Sequence, residues 1–159
     1  MNTTFINKSM RKTLLAGIIL LFNLGIAGAQ ILKPVTWSYA AKKISKTEAI
    51  IFIKATIDED WHLYSQTVPD GGPVRTSFMF VNAKSYTLIG KTQEPKPTVR
   101  FEKVFGIEVA YFENSVIFQQ KIKLNTGGPV VVKGSLEYMT CNDEKCLPPE
   151  QVPFSIPIK

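Results

Sequence analysis

The stretch SVIFQQKIKLNTGGPVVVKGSLEYMT, residues 115–140, decides the fold. Apolar and polar residues alternate on both sides of its Gly-Gly-Pro turn, which indicates two half-buried β-strands rather than a helix. The turn at 125–129 and a tight hairpin predicted at Glu113-Asn114 favour antiparallel pairing of the strands they join. The side chains predicted to face inward are Phe118, Gln120, Ile122 and Leu124 in the first strand and Val130, Val132, Gly134, Leu136 and Tyr138 in the second.

The rest of the chain after residue 29 consists of short apolar and β-branched runs separated by Pro, Gly, Asn and Asp. Strands at this spacing, with almost no helical periodicity, predict an all-β, immunoglobulin-like antiparallel β-sandwich. Pro153 and Pro157 predict an edge strand at the C-terminus, and the poorly patterned segment 90–102 predicts a surface loop. The predicted strands are 34–40, 47–57, 61–65, 75–81, 85–90, 107–112, 115–124, 130–140 and 151–158.

The first 29 residues have the layout of a secretory signal peptide. Basic residues precede an uncharged apolar run at 14–26, and Ala27-Gly28-Ala29 suits signal peptidase. The run falls short of the ~20 residues that a membrane span needs, although an uncleaved anchor remains the alternative. We therefore expect residues 30–159 to be a single exported domain in the periplasm, or secreted beyond it, without stable membrane insertion after cleavage.

The formal net charge is +6, and three of these charges come from Lys8, Arg11 and Lys12 in the predicted signal peptide. The other lysines are scattered along the predicted strands and are not clustered with aromatic residues. Nucleic-acid binding proteins usually concentrate their basic residues in a patch or stripe. The sequence therefore predicts no nucleic-acid partner.

The chain has two cysteines, Cys141 and Cys146, which follow a predicted strand and are separated by four polar residues. An exposed loop of this length can bring its ends within disulfide distance, and outside the cytoplasm such pairs are usually joined. One interpretation is a structural staple, which stabilises by about 2 kcal/mol in the chain-entropy account. The other is a redox-active switch, and the spacing alone leaves both open.

Two other cysteine chemistries fit the sequence poorly. A thioredoxin-type site has two residues between its cysteines and a helix after the first, whereas here Pro148-Pro149 blocks a helix. A closed zinc site needs four ligands, and His62 is the only histidine, so we expect no metal or other cofactor. Asp143 and Glu144 disfavour a thiolate, which Lys145 only partly offsets, so a dithiol here should react slowly without a docked partner.

Three segments together resemble a known family, the N-terminal periplasmic domain of the transmembrane thiol:disulfide interchange protein DsbD. Cys141 to Glu150, with the preceding Leu136-Glu137-Tyr138, is similar to the strand, loop and Cys-Leu-Pro-Pro-Glu ending of its active site. Segment 60–64, Asp-Trp-His-Leu-Tyr, resembles the strand that places two tyrosines beside the cysteines. Segment 102–106, Glu-Lys-Val-Phe-Gly, resembles its cap loop, an aromatic flap over the sulfurs.

The resemblance implies a role for each matched residue. Cys146 would be the attacking thiol that forms a mixed disulfide, and Cys141 would resolve it. Val104 and Phe105 would form the flap, and His62 and Tyr64 would flank the sulfurs. The sequence departs from the family pattern in having four residues rather than five between the cysteines, His62 in place of a tyrosine and Val104 in place of an aromatic residue.

The leading hypothesis from these features is a periplasmic thiol-disulfide interchange module that passes electrons from a membrane donor to periplasmic disulfide proteins. Because the sequence ends at Lys159, before any membrane-spanning segment, we expect the membrane-embedded donor to be a separate protein. The other expected partners are periplasmic thioredoxin-like proteins. The alternative is a non-enzymatic β-sandwich binding or adaptor module in which the same bridge is structural.

Overall fold

The computed structural model describes residues 32–103 and 105–159, and these residues are all-β. Residues 33–159 form one compact unit. The predicted signal peptide lies outside the described residues. Among the residues that the structure describes, no helix is long and apolar enough to cross a membrane. The strands are β1 Val35–Lys43, β2 Glu48–Ile57, β3 His62–Tyr64, β4 Ser77–Phe80, β5 Tyr86–Gln93, β6 Thr98–Glu102, β7 Ile107–Phe112, β8 Ser115–Leu124, β9 Val130–Tyr138, β10 Thr140–Cys141 and β11 Glu150–Ile158.

The strands form three antiparallel sheets, ordered β1-β2-β8-β5, β10-β3-β7-β6 and β11-β9-β4. Only Met139 separates β9 from β10, so the second and third sheets meet along one nearly continuous strand. Phe118 of the first sheet packs against Phe78 of the third, at 4.9 Å between ring centroids, and against Phe112 of the second, at 6.0 Å. The first sheet therefore covers both others, and the predicted immunoglobulin-like antiparallel sandwich is confirmed.

The inward face predicted for β8 and β9 is confirmed. Phe118, Ile122 and Val132 are fully buried, and Gln120 is buried with them. A buried amide is costly unless it is hydrogen-bonded. The Gln120 side-chain nitrogen donates to two backbone carbonyl oxygens, and its oxygen accepts from the Thr92 hydroxyl. A polar side chain therefore occupies a core position without an unpaired group.

The prediction that segment 90–102 is a surface loop is wrong. Strand β5 continues to Gln93, and β6 follows at Thr98–Glu102 and pairs with β7. Strand β6 is an edge strand, on which Val99 and Phe101 remain more than half exposed. Because apolar Val99 and Phe101 are exposed while polar Arg100 and Glu102 line a cavity together with Phe101, hydrophobic alternation does not report the buried face of β6.

The predicted pairing across two turns is also wrong. Asn114 adopts a left-handed conformation (φ 61°) in the expected tight turn, yet β7 pairs with β3 and β6, whereas β8 pairs with β2 and β5. The turn at 125–129 likewise joins β8 to β9, which belong to different sheets. Turn residues specify a reversal of the chain, and here each reversal crosses from one layer of the sandwich to the other.

The C-terminal edge strand is as predicted, because among the described strands β11 pairs with β9 alone. Its apolar residues Phe154, Ile156 and Ile158 are buried, whereas Pro153 and Pro157 are exposed. Gly134 of β9 lies against the Phe154 ring and the Met79 carbonyl, so closely that a Cβ atom at this position would clash with both. The absence of a side chain at Gly134 thus lets β4 and β11 approach β9.

Candidate active site

The cysteine pair closes a hairpin at the end of β10. Cys141 is the last residue of β10, and Cys146 lies directly opposite it in an antiparallel bridge. The two Cα atoms are 4.0 Å apart and the two residues are joined in a disulfide. On its other side, Cys141 pairs with His62 of β3. The position of β10 between its two neighbours thus brings Cys146 and His62 to either side of Cys141.

The loop between the cysteines is held by hydrogen bonds that do not involve sulfur. The Asn142 backbone N–H donates to the Lys145 carbonyl oxygen at 2.9 Å, and the Leu147 N–H donates to the Thr140 carbonyl oxygen at 3.0 Å. The Asn142 side-chain oxygen accepts from the backbone N–H groups of residues 144 and 145, at 3.0 and 2.8 Å. Asparagine side chains commonly stabilise turns in this way. The four-residue spacing therefore suits a compact turn that sets the cysteines face to face.

The two cysteines differ in exposure. Cys141 is 2% exposed, whereas Cys146 is at the surface. Thiol-disulfide exchange depends on access to the sulfur under attack. An external thiolate would therefore reach Cys146, and attack there would displace the buried Cys141.

A cavity of about 480 Å³ lies beside the pair and is lined by both cysteines. His62, Tyr64 and Phe105 also line it, so the structure brings together five of the six residues predicted from the family resemblance. The sixth, Val104, lies outside the described residues. The Phe105 and Gly106 N–H groups both donate to the Glu102 carbonyl oxygen. These hydrogen bonds hold the half-buried Phe105 at the cavity.

His62 and Tyr64 are both buried next to the sulfurs, with the Tyr64 hydroxyl 3.3 Å from His62 Nε2. Burial lowers the pKa of His62. The positive charge of Arg100 lowers this pKa further, while nearby carboxylates oppose the shift. Burial also raises the pKa of Tyr64 to about 12. Both side chains are therefore uncharged near neutral pH and can cover the disulfide without placing a charge on it.

Sequence reasoning missed two residues of this site, Arg100 of β6 and Tyr111 of β7. The Arg100 guanidinium lines the cavity and lies over the Tyr111 ring, 5.4 Å from its centroid. The Tyr111 ring lies 5.0 Å from that of His62. Both residues are distant from the cysteines in sequence and reach the site only because β6 and β7 continue the sheet from β3. The only available signal was the position of Arg100 just before the segment that resembles the cap loop.

Together these features define a class of protein: an all-β sandwich with a disulfide-bonded cysteine pair, exposed on one side, beside an aromatic-lined cavity. The family model described as "Thiol:disulfide interchange protein DsbD, N-terminal" matches residues 29–156. The chain therefore belongs to this family, which confirms the resemblance noted from its sequence. A comparison with curated proteins gave no match.

Solved structures show the same fold at low sequence identity. The N-terminal periplasmic domain of ScsB from Proteus mirabilis is 16% identical, with a TM-score of 0.56, over 80% of this chain and 47% of that one. The DsbD N-terminal and PilB N-terminal domain complex from Neisseria meningitidis gives 14% identity and a TM-score of 0.52, over 79% of this chain and 87% of the matched chain. At such identities the likeness concerns the fold.

Proposed function

We propose that this chain is a periplasmic thiol-disulfide interchange module, which relays electrons from a membrane donor to periplasmic disulfide proteins through Cys141 and Cys146. The observation that carries the proposal is the disulfide itself: the exposed residue Cys146 is bonded to the buried residue Cys141 at the cavity of a DsbD N-terminal family member. A bridge that only stapled the fold would have no need of a reachable sulfur beside a cavity.

In the forward direction, the donor reduces the pair in two steps. A donor thiolate attacks Cys146 Sγ and forms a mixed disulfide, while Cys141 leaves as a thiolate and takes up a proton. The donor's second thiolate then attacks the donor sulfur of the mixed disulfide and releases Cys146 as a thiolate. Two electrons have moved: the donor is oxidised to a disulfide, and this chain is reduced to a dithiol.

Delivery to a recipient reverses these roles. The Cys146 thiolate attacks the recipient disulfide, and one recipient sulfur leaves as a thiolate. Cys141, deprotonated as it reacts, then attacks Cys146 Sγ, restores the Cys141–Cys146 bond and releases the recipient as a dithiol. The burial of Cys141 suits this resolving role, because a largely buried sulfur beside Cys146 is less accessible to other disulfides.

The neutral groups around the sulfurs support a shielding role. Phe105, His62 and Tyr64 line the cavity and place apolar or uncharged surface next to the pair. Covering a reactive dithiol limits its contact with oxidants and with thiols other than those of a docked partner. We propose that Phe105 and Val104 act as the flap and that docking displaces them.

Two comparisons support the partner assignment. A DsbD N-terminal domain forms a complex with a PilB N-terminal domain in Neisseria meningitidis, and the ScsB domain is described as periplasmic. We propose corresponding partners here, namely thioredoxin-like periplasmic proteins and a separate membrane-embedded donor.

Trapping the mixed disulfide tests the proposal. A Cys141→Ala variant lacks the resolving thiol, so partner proteins should accumulate on Cys146 in periplasmic extract as adducts that dithiothreitol releases. The matched Cys146→Ala variant, whose remaining sulfur is buried, should trap few or none. The proposal fails if Cys141→Ala captures no protein and the wild-type bridge also resists dithiol reductants of the thioredoxin type.

A further inference from the structure

Two carboxylates lie beside the cysteine pair. Glu102, on β6, and Asp143, inside the loop between the cysteines, both line the same cavity as the sulfurs. The Glu102 side chain is only 16% exposed, whereas that of Asp143 is 90% exposed. Negative charge near a thiol disfavours the thiolate, the form that attacks disulfides. By themselves these two residues would slow the exchange chemistry.

One side chain contacts both carboxylates. The Arg100 Nε and Nη2 atoms donate to Glu102 Oε1 at 3.1 and 3.0 Å, and Nη2 lies 3.6 Å from Asp143 Oδ1. The Tyr111 ring supports the guanidinium from below. The contact with Asp143 also joins the edge strand β6 to the loop between the cysteines. A guanidinium stays protonated at any pH that the fold experiences, so this positive charge is permanent.

We propose that Arg100 is a positioning residue for the exchange reaction: it offsets the charges of Glu102 and Asp143 beside the cysteines and so keeps the Cys146 thiolate available. The inference rests on the proposed interchange function. Lys103, which lines the cavity, and Lys145, in the exposed loop, have no ion pair with either carboxylate among the described residues. Arg100 is thus the cation that the structure places against both.

The rate at which iodoacetamide alkylates Cys146 in the full chain tests the inference. In a Cys141→Ala background Cys146 is the only thiol, and iodoacetamide is uncharged, so its rate follows the thiolate fraction. Arg100→Gln should slow alkylation at pH 7 about threefold, a modest change because the ion pairs are partly exposed, and should move the pH midpoint upward. Arg100→Lys, which keeps the charge, should retain most of the rate.

Reversal by a second substitution separates charge compensation from a structural role. If Arg100 acts by offsetting Glu102, adding Glu102→Gln to Arg100→Gln should return the rate toward that of the parent, and Glu102→Gln alone should raise it. Arg75→Gln removes the same charge from an exposed arginine outside the cavity and should leave the rate unchanged.

Two results would overturn the inference. One is an alkylation rate for Arg100→Gln equal to that of the parent. The other is an Arg100→Gln/Glu102→Gln double variant that reacts as slowly as Arg100→Gln alone. Neither result depends on whether partners are trapped, because alkylation reports the thiol alone. Failure of the proposed function would appear instead as the absence of mixed disulfides in an otherwise reactive Cys141→Ala chain.

Discussion

At the scale of single residues, His62 has an unusual position for a histidine. It is 4% exposed, packs against the rings of Tyr64 and Tyr111, and lies next to Cys141 in the sheet. The charged groups near it are Arg100, Glu102, Glu113 and Asp143. Burial is the largest influence on its pKa, so the neutral imidazole is the form that the fold accommodates.

This environment predicts acid sensitivity. The pKa of His62 is lowered in the folded chain, so the unfolded chain, with a histidine pKa of about 6.5, binds the proton more readily. The contribution of neutral His62 to stability is therefore complete above the unfolded pKa of about 6.5. It is lost as the pH falls toward the lower pKa of the folded chain. Urea denaturation between pH 7 and 5 should show a falling free energy of unfolding that His62→Gln makes flatter. The same pH slope in both proteins would contradict the prediction.

The site also shows which residues a sequence can reveal. The cysteines, His62, Tyr64 and Phe105 were found because short segments around them resemble a family pattern. Arg100 and Tyr111 were missed because the order of strands in the sheet brings them to the site: Arg100 contacts Asp143, which is 43 positions away along the chain. Contacts of this kind depend on the order of strands in the sheet, which local pattern does not contain.

At the scale of strands, Gly134 gives the most direct test of packing. Its backbone lies against the Met79 carbonyl and the Phe154 ring, and an added Cβ would clash with both. Overpacking of a tight interior typically costs about 1–3 kcal/mol. Gly134→Ala should therefore lower the free energy of unfolding by about that amount in chemical denaturation.

Gly127→Ala is the matched control, because nothing lies within 4 Å of a Cβ at that turn position. It should change stability far less. Equal losses in the two variants would mean that β4 and β11 do not pack on β9 as closely as described.

The strands themselves were largely predictable, whereas their partners were not. Alternation located β8 and β9 because one face of each packs into the core. It failed for β6, whose apolar Val99 and Phe101 are exposed, and Pro95 and Pro97 nearby suggested a loop instead. Turn chemistry correctly placed the reversals at 113–114 and 125–129. It could not show that each one changes sheets, since that choice is made by packing between the layers.

At the scale of the whole molecule, stability and redox chemistry can be separated. The sandwich has a continuous core of buried apolar residues from all three sheets, so the short loop closed by the disulfide contributes little to holding it together. In the chain-entropy account, closing a loop this short stabilises by about 2 kcal/mol. We therefore expect the bond to open without unfolding the domain.

The reduction potential decides between an interchange module and an adaptor with an inert bridge. We expect equilibration with dithiothreitol or glutathione buffers to give a potential above about −300 mV, the level below which structural disulfides of secreted proteins typically lie. Replacing both cysteines by serine should cost no more than about 2 kcal/mol of stability. A lower potential combined with a larger loss of stability would favour the adaptor.

The hydrogen bonds that hold the turn at 142–145 carry one more consequence. Since the backbone bonds from Asn142 to Lys145 and from Leu147 to Thr140 need no sulfur linkage, we expect the hairpin to keep its geometry when the bridge opens. We expect the oxidised and reduced forms to be isostructural, with the loss or gain of two electrons confined to the sulfur atoms of Cys141 and Cys146. The domain would then switch oxidation state with little reorganisation energy, and a partner would find the same surface in either state.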